Sequence, residues 1–206
     1  MAAGQDLLDL VDLRRRVGDL YRLRGPGALE EFRRGRDHLF HDHPQSPIEE
    51  RHGFAGLDYF PPDPAFRVPA RFVPATVAED LVIDTGGEDG AIPYRRAGAL
   101  AFELGGTACS LTVLSLVGYG GGLFLPFKDA TSRDETYGGG RYLFDTVKNT
   151  DGLALEAEVG SDRMIIDFNY AYNPSCAYSP RWACPLAPPE NTLAVRVSAG
   201  EKRFLP

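Results

Sequence analysis

The segment from Asp167 to Lys202, DFNYAYNPSCAYSPRWACPLAPPENTLAVRVSAGEK, gathers carboxylates, amides, phenols and two thiols between two stretches of strand character. In the strand expected from Asp162 to Tyr170, period-two alternation puts Asp167 and Asn169 on one face. A carboxylate beside an amide can act as a general base with an orienting donor once burial raises the acid's pKa. The same pair can instead hold loop backbone N–H groups in the 171–178 region, as short acidic side chains at strand ends do. Upstream, Arg141, Leu143 and Asp145 share a face of a strand expected over 140–147. Arg141 is either a bidentate clamp for a substrate carboxylate or phosphate, or the ion-pair partner of Asp145 or Asp167, the pairing being the simpler expectation.

The chain has three cysteines, Cys109, Cys176 and Cys184. That number is too small and too odd for a disulfide scaffold, so reduced thiols in a cytosol are expected. For Cys176 and Cys184 three roles stay open: structural thiols or a conditional disulfide, a nucleophile or redox thiol, and metal ligation. A catalytic thiol needs a base or an electropositive setting, and no His or Lys lies close in sequence. The C-x7-C spacing is longer than a zinc knuckle. His38 and His41, three apart on a helix beside Asp37 and Asp42, lack HExxH logic and suit the negative end of a helix dipole. No metal site and no cofactor are expected.

The glycine runs GYGGG at 118–122 and YGGG at 137–140 are not followed by a helical pattern, so they read as turns and bulges rather than as a nucleotide fingerprint. The Gly138–Gly140 amides could still line a pocket for an anionic group. Neither a GxSxG elbow, a kinase set nor a paired-carboxylate glycosidase pattern is legible.

These groups must be positioned by a β-rich framework. Apolar residues recur at helical spacing from Asp6 to Leu23; Gly25, Pro26 and Gly27 break the run, and a second amphipathic helix is expected from Ala28 to His41. Its Arg33, Arg34 and Arg36, like Arg14 to Arg16 on the first helix, read as a solvated, ion-paired face. The prolines between Tyr59 and Val73 predict an extended, edge-like entry rather than a central strand. Beyond it, strands are expected at 71–77, 80–85, 92–96, 98–104, 107–117, 122–127, 140–147, 152–158, 162–169 and 192–198, joined by Gly-Gly, Asp-Gly and Pro-Pro turns. With no helices between them, they imply an antiparallel system. The expected fold is α+β and predominantly antiparallel β: a sandwich or partly closed β-barrel, with an N-terminal helical hairpin (1–45) packed on the β domain (46–206) as one structural domain.

At 206 residues, 43% hydrophobic and 25% charged, the chain has material for one good core. The net charge of −7 argues against a nucleic-acid partner. No export leader and no membrane span are legible, so a cytoplasmic protein without membrane partners is expected.

RDHLFHDHPQSPI at 36–48, FAGLDYFPPDPAFRVPARF at 54–72, LFLPFKDATSRDETYGGGRYL at 123–143 and the 167–202 segment together resemble the bacterial and archaeal domain of unknown function 1684 family. The resemblance implies no reaction. It singles out Tyr137, Gly139, Arg141, Asp167, Asn169, Tyr172, Asn173, Cys176, Tyr178, Cys184, Glu190, Asn191 and Glu201 as family-pattern positions.

Three functions are compatible with these residues. The first is a small-molecule enzyme, a hydrolase or lyase, with Asp167 as base, Asn169 and Tyr172 orienting substrate, Arg141 holding an anionic group and Cys176 in the catalytic set. Tyr137, Gly139, Asn173, Tyr178 and Glu190 would complete its substrate contacts. The second is a non-catalytic module for a small ligand or peptide. In the third, the C-terminal motif is a structural clamp, with Asp167, Asn169, Asn173 and Glu190 satisfying buried loop backbone. The expected partner is a small-molecule ligand, with homodimerisation left open.

Overall fold

In the computed structural model, which describes residues 2–87, 90–118 and 120–205, Gly25 and Gly27 adopt positive φ and separate helix α1 (Ala2–Leu20) from α2 (Ala28–Asp42). Tyr119 of the first glycine run lies outside the described residues. The helices are seated by aromatic edges. Tyr21 meets Phe32 at 4.8 Å between ring centroids, Phe32 meets Tyr170 at 5.0 Å, and Tyr21 meets Tyr172 at 6.3 Å. Only the C-terminal part of α1, with Val17 and Leu20, packs on the core, whereas Leu7 and Leu8 are 67% and 64% exposed. No helix of the described residues is long and apolar enough to cross a membrane.

The remaining elements are strands β1 (Arg67–Pro74), β2 (Asp80–Asp84), β3 (Ala91–Leu104), β4 (Thr107–Leu116), β5 (Leu123–Phe127), β6 (Arg141–Asp145), β7 (Leu155–Ala157) and β8 (Arg163–Asp167), linked in places by single 3-10 turns. They form one antiparallel sheet ordered β6-β5-β4-β3-β1-β8-β7, with β2 also paired to β3. After β8 the chain crosses to the far edge, where Tyr142 and Tyr172 exchange N–H···O bonds of 2.8 and 3.0 Å. The sheet therefore curls into a half-barrel, and the hairpin covers the crossing segment. Phe168, fully buried on that segment, stacks its edges against Phe127 and Phe102 at 5.2 and 5.7 Å.

Three local expectations are corrected. The predicted strands 92–96 and 98–104 are one strand, β3, bent at a bulge between Arg96 and Gly98. A Cβ at Gly98 would lie 2.4 Å from the Val73 carbonyl, so the close approach of β1 there requires glycine. The proline-rich entry does become a central strand: β1 lies between β3 and β8. Pro69 is tolerated because β1 pairs with β3 only from Ala70 to Pro74, so at Pro69 it has a single paired neighbour, β8. The expected strand 192–198 is irregular, with one isolated bridge from Thr192 to Lys128. Its amides go instead to scattered partners: Leu193 N–H to Lys128 O at 2.8 Å and Val197 N–H to the Asp129 carboxylate at 3.1 Å.

Candidate functional site

Strand β8 ends at Asp167, and Phe168–Tyr170 form a 3-10 turn that Asp167 caps. Its Oδ1 accepts from the Asn169 N–H at 2.9 Å and from Asn169 Nδ2 at 2.8 Å. The two side chains do sit together, but a capped turn brings them together rather than strand alternation. Asn169 in turn grips the backbone of Asp63, donating to its carbonyl at 2.9 Å and accepting from its N–H at 3.0 Å. The pair thus ties the proline-rich entry to the end of β8. Burial raises the Asp167 pKa, while the Asn169 hydrogen bonds and Arg67, 4.0 Å away, act in the opposite direction.

Arg141 is 1% exposed, and its partner is Asp129 rather than Asp145 or Asp167. One terminal nitrogen donates to Asp129 Oδ2 and to the Val197 carbonyl, both at 2.9 Å. The other donates to the carbonyls of Ala199 and Glu201. Asp129 Oδ1 accepts from Thr131 N–H, Thr131 Oγ1 and Val197 N–H, so every oxygen of this carboxylate is engaged. Arg141 holds the C-terminal tail against β6 with both arms of its guanidinium.

A third cluster was only half legible in the sequence. Arg36, expected on a solvated face, is 6% exposed, because it follows Ala28 and Phe32 along the inward side of α2. Its Nη2 lies 2.8 Å from Glu201 Oε2. Around this ion pair, Tyr59 OH is 3.2 Å from Arg36 Nε, and the Phe40 and Tyr172 rings lie 5.1 and 5.4 Å from the guanidinium carbon. Glu201 also accepts from the Asn173 N–H and Nδ2, each at 3.1 Å, and from Tyr178 OH. Burial raises the Glu201 pKa against the lowering pull of Arg36. Tyr172 contributes its ring here, while its hydroxyl pairs with Thr150 Oγ1 at 2.7 Å. The signal for Arg36 was its spacing of four from Phe32; its charge obscured it.

Cys176 is part of a fourth group. Its thiol lies 3.7 Å from Tyr137 OH, and the Tyr137 ring packs so tightly over Gly139 that a Cβ there would meet it at 2.4 Å. Glu190 stands apart at the surface, paired with Arg96 at 2.8 Å. Buried Asn191 does the work expected of Glu190, donating to the carbonyls of Thr112 and Pro126 at 2.9 and 2.8 Å and accepting from Thr112 N–H at 2.8 Å. At the end of α2, His38 and His41 both bind the Asp42 carboxylate, at 2.7 and 2.5 Å. Among the described residues, no three His, Cys, Asp or Glu side chains are grouped to hold a metal.

The proposed catalytic set is therefore divided. Asp167 with Asn169, Arg141, and Cys176 belong to separate networks with different partners. Among the described residues, open clefts lie elsewhere, a smaller one between α1 and Asn149 and two larger ones. One, of about 650 Å³, runs over the outer face of β1, β7 and β8 and is edged by Arg71, Arg163, Glu156 and Glu158. The other, of about 550 Å³, is formed by residues 48–50 and 52–56, 178–180 and 204–205.

A family model described as Protein of unknown function (DUF1684) matches residues 52–202. The chain belongs to this family. The matched span begins after the helical hairpin and includes all four polar networks apart from the helix residue Arg36. The chain is also similar to the solution structure of an uncharacterized protein from gene locus rrnAC0354 of Haloarcula marismortui, with 36% identity and a TM-score of 0.62, covering 84% of this chain and 91% of that one. No curated protein matches.

Proposed function

We propose that this DUF1684 protein is a non-catalytic binding module, with its C-terminal motif as a structural clamp and a small organic cation as its ligand. One contrast carries this reading. Asp167, Asn169, Arg141 and Asn173 are committed to partners within the chain, whereas Phe54, Tyr178 and Phe204 line an open cleft edged by Glu50 and by Glu49, the latter already held by Ser179 and Arg181. Tyr178 and Phe204 meet edge to face at 5.5 Å, and Phe54 lies 6.5 Å from Phe204. Half-buried rings beside carboxylates suit a cation with an apolar body. Tyr178 joins the cleft to the clamp, since its hydroxyl is held by Glu201.

The enzyme reading, with Asp167 as base and Arg141 as anion clamp, has weaker support, because the guanidinium arms of Arg141 already hold carbonyls and Asp129. Three unbridged cysteines suit a reducing cytoplasm.

The test is thermal unfolding of the full chain with choline and phenethylamine, alongside the isosteric neutral compounds. A cation at a hundredfold over its Kd adds about 2.7 kcal/mol, or roughly 5–10 °C for a domain of this size. Phe204→Ala and Glu50→Gln should remove the shift. Equal shifts with the neutral compounds, shifts that survive both substitutions, or turnover of the added compound would overturn the proposal.

A further inference from the structure

Most of the side-chain oxygen around the cleft of Phe54, Tyr178 and Phe204 is already taken. Tyr178 OH donates to Glu201, Ser179 Oγ donates to Glu49, and Glu49 lies 3.7 Å from Arg181 Nε. Glu50 is the one lining carboxylate without an ion-pair or hydrogen-bond partner among the described residues. No Lys or Arg lines the cleft, and the exposed His52 is its one basic side chain. The three rings are half-buried and inclined to one another, Tyr178 and Phe204 at 63° and Phe54 and Phe204 at 47°. On the inner side, Phe40 meets Tyr178 edge to face at 4.9 Å and carries the Arg36 guanidinium 5.1 Å from its own centroid. That ring is occupied, so a further cation has to enter from the open side.

We propose, resting on the reading of this cleft as a cation site, that its ligand is a free trimethylammonium compound: a cation with no N–H donors and no anionic group attached. A primary ammonium brings three N–H donors, and each must be satisfied once water is displaced. The side chains of the cleft offer them only Glu50 and the His52 ring, because the other side-chain oxygens are engaged. A trimethylammonium has no donor to satisfy. It spreads its charge over methyl groups that pack on aromatic rings, and so gains the attraction of the rings without the cost of unmet donors. Tyr178 adds to that attraction, since a phenol that donates to a carboxylate gains electron density on its ring. Glu49 and Glu50 repel a phosphate or carboxylate held close to the ammonium, which selects against phosphocholine, betaine and the headgroup of phosphatidylcholine.

Calorimetric titration of the full chain at neutral pH, where all the amines are charged, separates the effect of methylation from that of charge. The probes are ethanolamine, dimethylethanolamine, choline and the neutral carbon isostere of choline, followed by phosphocholine and phosphatidylcholine vesicles. Affinity should rise with methylation, choline binding at least about tenfold more tightly than ethanolamine. Phosphocholine and the vesicles should bind at least about tenfold more weakly than choline. Phe54→Leu keeps apolar volume but removes a ring, and should bring choline close to ethanolamine.

Equal binding of choline and ethanolamine, or tighter binding of ethanolamine, would overturn the trimethylammonium assignment and leave the cation site standing. If the neutral isostere binds as tightly as choline, or if none of the amines binds, the cation site itself fails and this proposal with it. Phosphocholine or vesicles matching choline would overturn the choice of a free ligand without an anionic group. Tenfold selectivity retained in a folded Phe54→Leu chain would show that the rings are not its source. The wild-type series is decisive by itself, so a variant that failed to fold would leave the test intact.

Discussion

Replacing Glu201 by Ala would leave the Arg36 guanidinium charged in a pocket where its side chain is 7% exposed. Removal of one member of a buried ion pair costs about 3–5 kcal/mol, because the surviving charge has lost its compensation. Here the carboxylate also accepts from Asn173 N–H, Asn173 Nδ2 and Tyr178 OH, so the upper half of that range is expected. Against a total stability of about 5–15 kcal/mol this is a large fraction, and for a domain of this size it lowers Tm by about 10 °C or more. Urea unfolding of wild type, Glu201→Ala, Arg36→Met and the double variant measures it, with an unchanged slope showing that the same transition is followed. The double variant removes both charges and should cost about 2 kcal/mol less than the sum of the singles. Additivity within about 0.5 kcal/mol, or a loss below about 1 kcal/mol for Glu201→Ala, would show that the pair is not the clamp described here.

Two further outcomes follow from the same networks. Asp167→Ala should cost about 1–2 kcal/mol, because it removes the cap of the 168–170 turn, whereas Asp167→Asn, which keeps an acceptor for Asn169, should be close to neutral at pH 7. Since burial raises the Asp167 pKa, the folded state binds the proton more tightly than the unfolded one. Stability relative to Asp167→Asn should therefore be greatest below the ordinary carboxylate range and fall as pH rises through the raised pKa, which urea titrations across that range will show. Asn191→Ala strips the Thr112 N–H and the Thr112 and Pro126 carbonyls of their side-chain partner, an expected loss of about 3 kcal/mol with faster amide exchange at Thr112.

Local signals carried much of the fold. Gly25 and Gly27 marked the helix break, and β2, β4 and β5 lie within a residue or so of their expected positions, because turn chemistry and period-two patterning are written in neighbouring residues. The expectation failed where a partner distant in sequence decided the outcome. Pro69 enters a central strand because its neighbour β3 starts pairing one residue later, and residues 192–198 take no strand because the Leu193 and Val197 amides go to separate partners, Lys128 and Asp129.

For the polar motif, the residue sequence by itself determined which types are gathered between Asp167 and Lys202, a segment that lies within the family match over residues 52–202. The tertiary structure decided what each does. Asp167 and Asn169 are neighbours through a two-residue cap, a short-range relation that alternation could suggest. Arg141 meets Asp129 twelve residues away, and Arg36 meets Glu201 across 165 residues. Burial turns such charges from solvated surface groups into obligatory pairs, and which charges are buried depends on how a helix at one end of the chain packs against a tail at the other.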